Sequence, residues 1–179
     1  MRLASAAISA LVWSLFVFAH MALAAPQNEA CSLPQDLQKE ISTTYHGAQL
    51  VTISDLNESD RGLFQKDHRK SCPGLVRVDF YGDKKPTLAL VLNTGDGANQ
   101  KAELVVAHKV GPHWNTTLLE TAKLSIPVVW SEKPGTYSDV YGDKTIRATK
   151  PVIVFCGYSA WAILYAWTGK DVDKVWLRD

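Results

Sequence analysis

The sequence has no excess of charge of either sign. Its 179 residues include 19 Lys and Arg against 18 Asp and Glu, a formal net charge of +1. The first 24 residues contain one arginine and no acid, so the rest of the chain is neutral overall. A chain without net positive charge gives no support for nucleic acid or an anionic membrane as its partner.

The common catalytic and cofactor motifs are also missing. There is no Gly-x-Ser-x-Gly elbow, no P-loop, no dinucleotide-binding glycine fingerprint and no paired-cysteine metal motif. His108 and His113 flank one turn, but no histidine pair on one element has the spacing of zinc ligands. No single sequence identifies a carboxylate pair for glycoside hydrolysis. We therefore predict a protein that is not an enzyme.

Long apolar runs are confined to the N-terminus. Leu3–Leu23 follows Arg2 and ends in the small residues of an ALA motif, which predicts a secretory signal peptide over residues 1–24. A transmembrane anchor is the alternative, because the run approaches the length that crosses a bilayer, but no basic flank follows Ala25. We expect a periplasmic or secreted protein with one domain, residues 25–179, and no transmembrane anchor after signal cleavage.

Cysteine is scarce, and all three cysteines follow the signal peptide. Export to an oxidising compartment predicts one disulfide, and spacing alone does not choose the pair. We favour Cys31 with Cys72, since both precede the strand-rich region in loop or helix-end contexts. Cys156, in the apolar run PVIVFCGY, is expected to be a buried thiol. A nucleophilic Cys156 is the alternative, because CGYSAW partly matches a cysteine-protease signature in which Ser159 would have to be cysteine.

Helical periodicity occurs only before residue 71. LPQDLQKEISTT places Leu33, Leu37 and Ile41 at steps of four, which predicts a short helix that ends near Thr44. A second helix is predicted over 58–70, with Ser59 as a candidate cap. After the CPG motif that ends at residue 74 the period changes to two.

The remaining sequence predicts strands joined by hairpins. LVRVDFY, TLALVLN, AELVVAHKV and HWNTTLLET follow one another with turn residues between them, as in an antiparallel meander. KTIRATKPVIVFCGY contains one or two strands, and AWAILYAW and VDKVWLRD flank a Thr-Gly-Lys-Asp turn. AWAILYAW is apolar on both faces, so we expect a central strand with the N-terminal helix covering one face. The predicted fold class is α+β, an N-terminal helical segment packed on a predominantly antiparallel sheet.

One short stretch, DFYGDKKPT from Asp79 to Thr87, has the form of a metal-binding loop. It resembles the calcium loop of FG-GAP repeats, the blades of integrin-type and bacterial β-propellers, and the resemblance covers residues 74–92. It implies a calcium site in which Asp79 and Asp83 are the first and fifth ligands. Calcium prefers about six to eight oxygen ligands, whereas Tyr81 and Thr87 replace two of the family's ligands. The alternative is a tight turn in which Gly82 supplies the conformation and the aspartates bind backbone amides.

A second stretch, DVYGDKTIR from Asp139 to Arg147, repeats part of this pattern. It keeps the Tyr-Gly-Asp-Lys core but lacks a preceding blade-like strand. A propeller needs several such units at a constant period. Two such stretches are too few, so the sequence excludes a β-propeller. The pair is either a decayed duplication or the same turn chemistry used twice, and we favour the second interpretation.

Aromatic residues near loops are the remaining candidates for function. Trp130, Tyr137 and Tyr141 lie in or beside predicted loops, and Trp and Tyr dominate protein-binding hot spots. Asp96 lies in a second polar loop, Thr94–Gln100. We therefore predict an exported, non-enzymatic binding protein with a protein partner in the cell envelope, such as an inhibitor or immunity-type protein. The alternatives are a calcium-dependent or polysaccharide-binding adhesion module and an envelope hydrolase of unknown class.

Overall fold

The structure, a computed structural model, describes residues 29–95, 99–123, 126–158 and 160–178. The predicted signal peptide, residues 1–24, and Asp96 lie outside these ranges. Two α-helices are described, α1 (Gln35–Thr44) and α2 (Glu58–His68). The strands are β1 (Gln49–Leu50), β2 (Leu75–Arg77), β3 (Thr87–Thr94), β4 (Lys101–Val110), β5 (His113–Lys123), β6 (Val128–Glu132), β7 (Gly135–Ser138), β8 (Thr145–Ala148), β9 (Val152–Gly157), β10 (Trp161–Trp167) and β11 (Val172–Arg178).

The strands form three antiparallel sheets. The first has the order β1-β3-β4-β5, with β2 also paired to β3, and the second has the order β11-β10-β9-β6. The third is the β7–β8 hairpin. Most hairpin strands therefore lie where the sequence predicts them, but they divide between separate sheets.

The prediction of an α+β fold is wrong, because antiparallel strands dominate the chain and both helices are short. Leu37 and Ile41 of α1 share a buried cluster with Leu88 and Leu90 of β3, but α1 is only ten residues long and covers part of one sheet. Most of the remaining core is made by strands packed on strands, with Phe64 of α2 packed against them. The sequence pattern identified the helices and did not reveal which element covers which face.

The two large sheets pack face to face as a β-sandwich. Their shared core contains Ala89, Val91, Leu104 and Val106 from the first sheet and Val129, Phe155, Ile163 and Tyr165 from the second. Alternate residues of β10, Leu164 and Ala166, point the other way into a cluster with Ile146 of the β7–β8 hairpin. The central position of β10 is therefore confirmed, but its outer cover is a hairpin and not the N-terminal helix.

Local signals explain the helix ends. The chain enters α1 directly after Pro34 and leaves it at Thr44, where the periodicity predicts its end. The cap of α2 is Asn57 and not Ser59, because the Asn57 side chain accepts the N–H of Asp60 at 2.9 Å. No helix within the described residues is long and apolar enough to cross a membrane.

The predicted disulfide, Cys31–Cys72, is confirmed and joins chain positions 41 residues apart. Cys72 lies in the buried cluster with Leu37, so the bond ties the segment before α1 to the start of β2. Cys156 is a buried free thiol, as predicted. Burial raises the pKa of this thiol to about 11, against the opposing influence of Arg178. A thiol with that pKa is protonated at neutral pH, which removes the basis for a nucleophilic role.

Candidate functional site

The tip of the β7–β8 hairpin exposes one of the predicted partner-binding residues. The tip is the segment Asp139–Lys144, which connects β7 to β8. Val140 and Tyr141 are 50% and 61% exposed, the largest fractions among the bulky apolar side chains that the structure describes. An exposed tyrosine beside an exposed aliphatic residue is a composition typical of binding hot spots.

Hydrogen bonds to β11 hold the main chain of the tip. The N–H of Val140 donates to the Trp176 carbonyl at 2.7 Å. In return, the N–H of Trp176 donates to Oδ2 of Asp139 at 3.0 Å. The ammonium group of Lys144 donates to the Lys174 carbonyl at 3.1 Å. The tip is thus anchored to β11 at Asp139 and Val140 before Tyr141, and by the Lys144 side chain after it.

The tip also has its own turn structure. The N–H of Gly142 donates to the Asp139 carbonyl at 3.0 Å, and the N–H of Tyr141 donates to Oδ1 of Asp139 at 3.0 Å. Gly142 has a φ of +80°, a conformation that glycine adopts at little cost. Both Asp139 carboxylate oxygens therefore accept backbone N–H groups, one within the tip and one from β11.

Tyr137, a second predicted binding residue, supports the base of the hairpin. Its hydroxyl donates to the Lys133 carbonyl at 2.5 Å, and its ring packs against the cluster that contains Ile146 and Val154. Burial, and then the charge of Glu132, raise the pKa of Tyr137. The ring stiffens the hairpin below the tip and presents less surface than Tyr141.

Trp130, the third predicted binding residue, lies far from the tip across the second sheet. It belongs to β6, one edge of that sheet, whereas the tip binds β11, the other edge. The structure therefore does not bring Trp130 and Tyr141 into one site.

A cleft of about 530 Å³ surrounds Trp130 between α2 and β6. The Trp130 ring lies 4.8 Å from the His68 ring and 6.4 Å from the Tyr158 ring, centroid to centroid. Its indole N–H donates to Glu132 at 3.0 Å. Burial lowers the pKa of His68, while the charges of Asp67 and Glu132 act in the opposite direction. The sequence did not place His68 and Tyr158 beside Trp130, because only the packing of α2 against β6 brings these rings together.

The stretch that resembles an FG-GAP loop is a hydrogen-bonded turn between β2 and β3. Gly82 has a φ of +72°, and its N–H donates to the Asp79 carbonyl at 3.2 Å. Oδ1 of Asp79 accepts the N–H of Lys84 at 3.1 Å, and Oδ1 of Asp83 accepts the N–H of Lys85 at 3.1 Å. The bond from Gly82 to Asp79 matches the bond from Gly142 to Asp139, so both Tyr-Gly-Asp segments form the same kind of turn.

The surroundings of this turn fit calcium poorly. Oδ2 of Asp83 lies 3.3 Å from the Lys85 ammonium and 3.2 Å from Nε2 of His108. Burial raises the pKa of Asp83, but hydrogen bonds from Lys85 and the charge of His108 outweigh it and lower the pKa. No three potential side-chain ligands from His, Cys, Asp and Glu converge anywhere in the described ranges. Calcium binding at Asp79 and Asp83 stays a prediction.

Three side chains that contact one another in series, Thr87, His108 and Asp83, have the residue types of a hydrolase triad. The Thr87 hydroxyl lies 2.8 Å from Nδ1 of His108, whose Nε2 faces Asp83. A nucleophile must reach its substrate, but Thr87 is only 3% exposed, and its hydroxyl also lies 3.2 Å from the Lys85 carbonyl. These hydrogen bonds link the turn to β4, and the burial of Thr87 argues against a nucleophilic role for its hydroxyl.

No protein-family model, curated protein or solved structure matches the chain. The choice between the Trp130 cleft and the hairpin tip therefore depends on their geometry.

Proposed function

We propose that this protein is an exported, non-enzymatic binding protein that inhibits or neutralises an enzyme of the cell envelope. The tip, Asp139–Lys144, inserts into the partner's cleft with Tyr141 as its leading side chain. One observation carries this proposal: the backbone of the tip is fixed by hydrogen bonds to β11, while Val140 and Tyr141 lie largely in solvent.

Fixing a loop before binding increases affinity, because the partner does not have to order it. Tyrosine suits such a position, since it buries a large area and loses little side-chain entropy. The periplasm or the extracellular space is the expected location, and the Cys31–Cys72 bond is consistent with an oxidising compartment.

The test is affinity capture from an envelope extract of the source organism, followed by activity measurements on the captured enzyme. We expect wild-type protein to retain one enzyme and to reduce its activity. The Tyr141→Ala variant should bind at least about 30-fold more weakly, the loss typical of a hot spot. Its unfolding midpoint should stay unchanged, because the side chain is mostly exposed.

The matched control is Leu63→Ala, which truncates a 40% exposed apolar side chain on α2. This variant should bind as tightly as wild type. Equal binding by Tyr141→Ala and wild type would remove the tip from the interface. Capture of a partner whose activity does not change would refute inhibition.

A further inference from the structure

The two Tyr-Gly-Asp turns differ in what covers them. In each turn the glycine donates its N–H to the carbonyl of an aspartate three residues earlier, and Gly82 and Gly142 have φ of +72° and +80°. A Cβ built on Gly82 would lie 2.4 Å from Cδ of Lys150, whereas a Cβ on Gly142 would meet nothing within 4 Å. The first turn is therefore covered by another part of the chain, and the second is open at its glycine.

In the first turn, the tyrosine and the aspartate contact the same histidine. The Tyr81 ring lies 4.5 Å from the His108 ring, centroid to centroid. Oδ2 of Asp83 lies 3.2 Å from Nε2 of His108. The Phe80 and Trp167 rings lie 5.2 Å and 5.0 Å from the Tyr81 ring and enclose it further. The Tyr-Gly-Asp segment thus contacts one imidazole with its aromatic ring and with its carboxylate.

At the tip, the tyrosine and the aspartate at the same two positions face solvent. Tyr141 is 61% exposed, and Asp143 is exposed as well. Within the described ranges, the Asp143 carboxylate makes no hydrogen bond or ion pair. The two turns differ at the residue that follows, because Lys84 has a φ of +62° and Lys144 lies outside the left-handed region. The tip therefore presents the two side-chain types that hold His108 in the first turn.

We propose that the tip binds a histidine side chain of the partner enzyme, with the Tyr141 ring on the imidazole and the Asp143 carboxylate on a ring nitrogen. This inference rests on the proposed function and adds the chemistry of the partner's cleft. A hydrogen bond between a carboxylate and an imidazolium is charge-assisted and stronger than a neutral one. Histidine is the side chain that most often transfers protons in enzyme clefts. Occupying such a histidine blocks its proton transfer, which gives the inhibition a chemical basis.

The first test compares the Kd of the captured enzyme for wild type and two variants. Asp143→Asn removes the charge, keeps the shape of the side chain and should raise the Kd about tenfold or more. Its urea midpoint should equal that of wild type, because the carboxylate has no partner within the described ranges. Asp67→Asn removes the same charge beside the Trp130 cleft and should leave the Kd unchanged. Wild-type affinity of Asp143→Asn would overturn the proposal.

The second test identifies the partner side chain. Diethyl pyrocarbonate acylates accessible histidines, and mass spectrometry locates the modified residues. One histidine of the captured enzyme should react in the free enzyme and be protected in the complex with wild type. Enzyme acylated at this histidine should bind wild type at least about tenfold more weakly. Equal reactivity of every histidine in the free enzyme and in the complex would refute an imidazole contact.

The two proposals fail in different ways. If no enzyme is retained, or if Tyr141→Ala binds as tightly as wild type, the proposed function fails and the histidine contact fails with it. If Tyr141→Ala weakens binding while Asp143→Asn does not, and no histidine is protected, only the histidine contact is refuted.

Discussion

Gly74→Ala, the addition of a single methyl group, is expected to destabilise this protein severely. The Gly74 carbonyl accepts the N–H of Val91 at 2.8 Å, and the Val91 carbonyl accepts the N–H of Val51 at 3.0 Å. Two chain segments thus meet at one residue of β3. A Cβ on Gly74 would lie 2.4 Å from the Val51 carbonyl oxygen and 2.8 Å from its nitrogen.

These are backbone atoms, so a side-chain rotation cannot relieve the contact. The contact must open by roughly 0.6 Å to reach 3.0 Å, the separation below which Cβ contacts are essentially never observed. Overpacking of this kind costs about 1–3 kcal/mol. Weakening the hydrogen bond from Val91 to Gly74 adds about 1 kcal/mol. We expect the free energy of unfolding to fall by about 2–4 kcal/mol and Tm to fall by about 10 °C.

The assay is urea unfolding followed by tryptophan fluorescence, with Gly62→Ala as the matched control. Gly62 lies within α2, and a Cβ there would meet nothing within 4 Å. Alanine in a helix should stabilise the protein by about 0.5–1 kcal/mol. The same substitution is therefore expected to lower the free energy of unfolding at Gly74 and to raise it at Gly62. A Gly74→Ala variant as stable as wild type would refute the close approach of these segments.

Two further predictions concern stability. Reduction of Cys31–Cys72, which are 41 residues apart, should lower the free energy of unfolding by about 4 kcal/mol; an unchanged urea midpoint in reductant would contradict this. Tyr165 donates its hydroxyl to Glu120 at 2.9 Å, so Tyr165→Phe should cost about 1 kcal/mol at neutral pH. Burial raises the pKa of Glu120, but Lys174 and Tyr165 together hold it below its ordinary value of 4.5. The stabilisation is therefore present above that value and lost as pH falls through the lowered pKa. Urea unfolding of wild type and of Tyr165→Phe should show that the difference between their free energies of unfolding shrinks as the pH falls into the acid range. A difference that does not change with pH would refute the role of the Glu120 charge.

The chemistry available at the two surface features differs. The tip, Asp139–Lys144, presents apolar side chains on a fixed backbone, which suits a protein cleft. The cleft around Trp130 contains His68 and two nearby carboxylates, and its aromatic rings already stack on one another. At the tip, by contrast, the Val140 and Tyr141 side chains are 50% and 61% exposed.

Local patterns in the sequence predicted most of the individual elements, but they missed β6 and assigned the residues of β7 to a loop. The period of four before residue 45 and the period of two after residue 74 identified α1 and most strands. The context of Cys31 and Cys72 identified the disulfide, and the apolar run around Cys156 identified a buried thiol. These signals depend on neighbouring residues, since helix periodicity, strand alternation and turn chemistry act over a few positions.

Only the tertiary structure decided how the elements are combined. AWAILYAW is apolar on both faces, which requires two covers, but several apolar elements can serve equally well. The first sheet and the β7–β8 hairpin cover it, so the fold is β-rich. The contact between Asp139 and Trp176 joins residues 37 positions apart, and no local pattern of either residue reveals the other. The sequence by itself therefore determined the helices, most of the strands and the disulfide. Long-range packing determined that Tyr141 is exposed on a fixed tip while Trp130 lies at the opposite edge of the second sheet.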